Sequence, residues 1–174
     1  MLIGAHVSSS GGIHTAIDRA EAMGADSVQV FTQSPRTWRP TNHPQENFDK
    51  FKERRTEVGI GGVLCHALYL VNLANPKDDF YEKSVTAMCN TMDVGCAIEA
   101  EGVVFHIGSH LGAGMETGLE RVVEAMKQVL DRSSDTTWLL MENSAGTGDT
   151  IGRSIEELAM ILRQRRLKGG SIEL

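Results

Sequence analysis

Short apolar runs alternate with longer amphipathic segments along the whole chain, and this alternation constrains the fold more than any other feature. Strands are expected at Leu2–Val7, Ser27–Thr32, Gly61–His66, Gly102–His106 and Trp138–Glu142. Each precedes a stretch with helical spacing. The first helix carries Ile13, Ala16, Ile17, Ala20 and Met23, and the others span about 45–58, 78–100, 119–132 and 154–166. Strict strand–helix alternation dictates a parallel α/β sheet, because a parallel neighbour is reached only by a crossover long enough to hold a helix. Val63-Leu64 and Val103-Val104-Phe105 suit strands covered on both faces. A doubly wound sheet and a barrel both satisfy the pattern, but no GxGxxG follows the first strand, which disfavours a dinucleotide-binding version. Ser154 and Glu157 fit a capping box at the start of the last helix.

Composition narrows the classes further. The 174 residues form one expected domain, 1–174, without linkers or low-complexity segments. No run approaches the ~20 apolar residues of a membrane-spanning helix. The N-terminus shows no basic segment ahead of an apolar one, so no signal peptide is expected. Three cysteines, Cys65, Cys89 and Cys96, form no CxxC and cannot pair completely, which points to a reducing, cytoplasmic setting. A net charge of −6 argues against binding nucleic acid by bulk charge, leaving a local basic patch as the alternative.

Residue types that bind metals recur at one position, the last residue of a strand. His66, His106 and Glu142 end the third, fourth and fifth strands, each about one βα unit from the next. In a parallel barrel the strand C-termini converge on the face where loops build the active site. Two imidazoles and a carboxylate there match the three protein ligands of an open zinc site. A lone strand-end histidine is more often a hydrogen-bonded structural residue; three in register are harder to explain that way. His6 sits equivalently at the end of the first strand, as a further ligand or an outer partner.

Other candidates are weaker. Arg36, Trp38 and Arg39 follow the second strand, and Tyr69-Leu70 the third, an arginine–aromatic pairing suited to phosphates and stacked bases. Residues 33–55 hold six basic side chains (Arg36, Arg39, Lys50, Lys52, Arg54, Arg55) against three acidic ones (Glu46, Asp49, Glu53). Gly108-Ser109-His110 and Gly146-Thr147-Gly148 offer backbone amides to phosphate, although glycine-rich loops are also plain tight turns. Met115 and Met126 read as packing residues. Strand parity turns Cys65 away from His66, as an inert buried thiol.

Five segments carry a family resemblance. They are Ile3–Ser8; Phe31-Thr32-Gln33 with Arg36 and Trp38; His66–Leu73; His106–Leu111; and Met141–Gly146. In this order they resemble the endonuclease IV family of zinc-dependent apurinic/apyrimidinic DNA repair enzymes. The resemblance implies a TIM barrel with three zinc ions at the strand C-termini, and double-stranded DNA with abasic sites as substrate. It implies His66 and His106 as ligands of one zinc and Glu142 as a carboxylate bridging to a second, with a catalytic part. Arg36, Tyr69 and Leu70 match positions that enter the DNA at the abasic site. An apolar wedge there offsets unstacking, which costs least where a base is already missing. No ligand role is expected of His6, His110 or Asn143, and outer-shell support is the role expected of them. Ile107 stands where many family members have proline.

The implied reaction is hydrolysis of the phosphodiester 5′ to an abasic site by a protein that is a monomer at full length. Five βα units are legible, against the roughly 250 residues of a closed eight-unit barrel. The resemblance fades over Leu167–Leu174, so the chain is expected to hold one nearly complete metal site and fewer zinc ions than the family. Two other classes fit the same residues. A metal-dependent sugar isomerase or epimerase uses a related barrel, and the loops with Arg36, Trp38, Tyr69 and Leu70 discriminate against it. A catalytically deficient fragment would hold zinc weakly and expose its fifth strand.

Overall fold

The computed structural model describes residues 1–167, so the reading of the tail beyond them lies outside the described residues. Five strands and five helices alternate: β1 (Gly4–Val7), α1 (Thr15–Ala22), β2 (Ser27–Phe31), α2 (Gln45–Val58), β3 (Gly62–His66), α3 (Asp78–Ala97), β4 (Gly102–His106), α4 (Met115–Leu130), β5 (Trp138–Glu142) and α5 (Ile155–Leu167). All neighbours pair in parallel in the order β1-β2-β3-β4-β5. This is the strand order of a TIM-type barrel wall, without the switch of order that marks a doubly wound sheet.

Alternation within each strand decides which face holds the core. Val28, Val30, Val63, Cys65, Val103 and Phe105 are buried under the helices. Their alternates Gln29, Phe31, Leu64, Val104 and Leu140 are only partly covered. The expectation of strands covered on both faces therefore holds fully on one face only. On the helix side, Ile13, Ile17, Phe51, Met88, Met92, Val122 and Met126 close one continuous cluster. Burial pushes the Cys65 thiol up to about 12, so it stays protonated and inert, as parity predicts. Among the described residues no helix is long and apolar enough to cross a membrane.

Two helix boundaries differ from the sequence reading. α4 begins at Met115 rather than near Leu119, which puts Gly118 inside the helix. A Cβ on Gly118 would lie 2.7 Å from Ile151 Cδ1 and 2.9 Å from His110 Cβ, so close packing and not a turn accounts for this glycine. α3 ends at Ala97 because Glu99 takes a left-handed φ of 56°, and the Ala100 N–H closes on the Gly95 carbonyl. At α5 the Ser154 hydroxyl accepts the Glu157 N–H at 3.3 Å, as a capping box requires. The Glu157 carboxylate, however, accepts the N–H groups of Gly152 and Arg153 rather than that of Ser154.

Candidate metal centre

The strand register sets the site. β3 pairs His66 with Val104, and β4 pairs His106 with Glu142, so the three residues sit at the C-terminal ends of adjacent strands. One donor atom from each of His66, His106 and Glu142 falls within 4.8 Å of the other two. Glu142 Oε2 lies 3.0 Å from His66 Nε2 and 3.8 Å from His106 Nε2. His66 is nearly enclosed, with its side chain 7% exposed, while His106 and Glu142 are 44% and 42% exposed. The cluster is thus anchored on one buried imidazole and open on its other side.

Hydrogen bonding decides how His66 presents itself. Its Nδ1–H donates to the Ala67 carbonyl at 2.6 Å, which leaves the Nε2 lone pair directed at the carboxylate. An imidazole lone pair and a carboxylate oxygen 3.0 Å apart repel unless a proton or a cation lies between them. Two ligand atoms each about 2.1 Å from a tetrahedral zinc lie roughly 3.3–3.5 Å apart. The observed 3.0 and 3.8 Å straddle that separation. The donor set therefore fits a zinc ion held by both Nε2 atoms and the Glu142 carboxylate.

The three outer candidates lie elsewhere. His6 faces Gln29 one row below in the sheet, with Gln29 Nε2 donating to its Nδ1 at 2.9 Å. Its ring packs on Phe31 at 4.4 Å and lies 6.3 Å from the His66 ring. Burial, and then the neighbouring His66, lower its pKa and favour the neutral ring. His110 Nδ1 accepts the Gly114 N–H at 3.3 Å and belongs to the β4–α4 turn. Asn143 is exposed and makes no side-chain hydrogen bond among the described residues.

Arg36, Tyr69 and Leu70 are brought together on the rim. The Tyr69 N–H donates to the carbonyl of Pro35, the residue before Arg36, at 3.3 Å. The Tyr69 ring meets Phe31 edge-on at 5.1 Å and lies 6.2 Å from His66, yet Tyr69 is 63% exposed. Gln33 is buried, and its amide donates to the carbonyls of Thr37 and Arg39, holding the arginine loop from within. The basic run is corrected by its partners. Arg54 pairs with Asp18, Glu21 and Glu57; Arg55 pairs with Glu101; Lys50 and Lys52 pair with Glu46, Asp49 and Glu99. Only Arg36 and Arg39 of the six make no ion pair among the described residues.

Asn72 is a bracing residue that sequence reasoning passed over, although it lies inside the His66–Leu73 segment. Its Oδ1 accepts the Ser109 and Ala74 N–H groups, and its Nδ2 donates to the Ser109 carbonyl. This ties the β3–α3 loop to the β4–α4 loop. The latter is tied in turn to the β5–α5 loop by His110 N–H to Asp149 and Ile151 N–H to Gly108. The amides of Ser109 and His110 are thus committed within the protein, against their reading as phosphate donors.

Fold and site define an α/β barrel-type protein with a candidate metal triad at its strand ends. A family model described as "Xylose isomerase-like TIM barrel" matches residues 17–169, and the chain belongs to that family. Proteins named "Probable endonuclease 4" from Natronomonas pharaonis and Halothermothrix orenii are 38% and 34% identical to it over 160 and 164 residues. These matches cover 92% and 94% of this chain but 57% and 59% of the relatives. Endonuclease IV from Thermus thermophilus superposes with a TM-score of 0.84 at 33% identity, over 93% of this chain and 59% of that one. A D-tagatose 3-epimerase-like protein superposes with a TM-score of 0.72 at 16% identity, over 94% of this chain and 60% of that one, a likeness of fold alone. The endonuclease IV resemblance is borne out, and the chain spans under two thirds of the relatives it matches.

Proposed function

We propose that this chain acts on DNA at abasic sites, as a zinc-dependent phosphodiester hydrolase that cuts 5′ to the missing base. The observation that supports this reading is the convergence of His66, His106 and Glu142 beneath a rim bearing Arg36, Tyr69 and Leu70. His66 and His106 would hold zinc through Nε2, with the Glu142 carboxylate as third ligand. Bound zinc supplies Lewis-acid polarisation of the phosphodiester and lowers the pKa of water toward ~7. The Glu142 side chain is 42% exposed, which would let its carboxylate orient the attacking water. Arg36 meets backbone phosphate, and exposed Tyr69 and Leu70 fill the gap left by the lost base.

A pocket for a small sugar needs walls that enclose it. Here Tyr69 and Leu70 stand 63% and 38% exposed beside the triad, better placed to meet a large ligand. The test is incubation with zinc and a duplex carrying one abasic site, with product ends mapped on a sequencing gel. Zinc-dependent cutting 5′ to the abasic site, lost on chelation and absent from undamaged duplex, is expected. Zinc bound without any preference for abasic DNA would overturn the reading, and epimerisation of a ketose would replace it.

A further inference from the structure

The β4–α4 loop presents a leucine where neither packing nor backbone conformation accounts for one. Leu111 has φ 48° and the following Gly112 has φ 86°, while the Ala113 N–H closes on the His110 carbonyl at 2.9 Å. Positive φ at both central residues is the mark of a type I′ turn, which favours Asn, Asp or Gly at its first central position. Leu111 and Glu99 are the two non-glycine residues with positive φ among the described residues, and Glu99 ends a helix, where such a conformation is usual. Leu111 leaves 56% of its surface in solvent, so burial does not offset the backbone strain.

The turn is also rigidly mounted. The Leu111 N–H donates to Ser109 Oγ, and His110 Nδ1 accepts the Gly114 N–H. Ser109 is fixed on both sides of its peptide by Asn72. Asn72 lies two residues beyond Leu70, so the loop that bears the turn is braced to the loop that bears Tyr69 and Leu70. A strained, exposed and preorganised apolar tip, on a loop braced to the one that bears Tyr69 and Leu70, is arranged for a contact outside the chain.

We infer that Leu111 is a third apolar contact to DNA, a specificity-determining residue that packs against the sugar–base face of the duplex beside an abasic nucleotide. The inference rests on the proposed action at abasic sites. Undamaged duplex keeps its stack closed and offers this side chain no apolar surface, so Leu111 separates damaged from intact DNA rather than adding to general affinity.

Leu111→Gly and Leu111→Asn test this, since both suit the turn better than leucine. Anisotropy is measured on a labelled duplex with one tetrahydrofuran abasic analogue and on its undamaged counterpart, with EDTA present to prevent cutting. Both variants are expected to keep or raise Tm, yet to bind the abasic duplex about tenfold more weakly, the scale of one apolar side chain losing its contact. Binding to undamaged duplex is expected to stay unchanged. If the parent chain prefers abasic duplex and the variants match it, the role given to Leu111 is overturned. A clear fall in Tm would overturn it too, by showing that the side chain packs within the protein. If the parent itself shows no preference, the proposed action at abasic sites fails instead.

Discussion

His66→Ala is expected to weaken zinc binding by at least about 100-fold, more than the ~10–100-fold typical of losing an outer partner. The reason lies in its position. His66 is the enclosed member of the triad, its ring held by the Ala67 carbonyl with Nε2 aimed at the cluster. Alanine leaves His106 and Glu142, both partly exposed, to hold the ion alone. His6 cannot take over, because its ring is centred 6.3 Å from that of His66 and its Nδ1 is engaged by Gln29. A competition titration against a chromophoric chelator reads the affinity, and circular dichroism checks that the fold persists. Unchanged affinity in a folded variant would remove His66 from the ligand set.

Gly108→Ala is expected to destabilise the fold by about 3–4 kcal/mol, at the upper end of single substitutions. A Cβ at Gly108 would stand 2.1 Å from Asn72 Oδ1 and 2.9 Å from Asn72 Cα, and the φ of 111° already disfavours any L side chain. The side-chain collision alone is escapable; the one with the backbone Cα is not. For a chain of this size that loss lowers Tm by about 10 °C. Gly112→Ala is the control. It has φ 86° but no atom within 4 Å of the added methyl, so it costs only the backbone strain, about 1–2 kcal/mol. Equal losses for the two would show that conformation, and not the Asn72 contact, sets the requirement. Gly108 follows His106 by two residues, so the same substitution is also expected to weaken zinc binding.

What was legible in the sequence followed from local rules, and what was missed depended on distant partners. Strand parity and the position of strand ends are local, which is why the sequence alone points to His66, His106 and Glu142 and turns Cys65 away from them. His6 obeyed the same pattern but fell short, because the stagger between β1 and β2 seats it opposite Gln29, below the triad. The basic residues of α2 suggested a nucleic-acid patch when counted along the chain. Asp18, Glu21, Glu99 and Glu101, far off in sequence, pair with them in space. The glycine-rich stretch before Leu119 read as loop, whereas Gly118 lies within α4 because Ile151 and His110 press against it. Asn72 sat in plain view inside a family segment. Its role depends on Ser109, 37 residues away in sequence, which it bonds across the loop gap.

The proposed function depends on zinc binding by His66, His106 and Glu142, and the zinc K-edge X-ray absorption spectrum of the protein loaded with one equivalent tests that dependence most directly. The expected spectrum has a first shell of nitrogen and oxygen at ~2.0–2.2 Å, with the multiple scattering of two imidazoles. A sulfur shell at ~2.3 Å, placing the ion on Cys65, Cys89 or Cys96, would contradict this ligand set, as would a spectrum without imidazole.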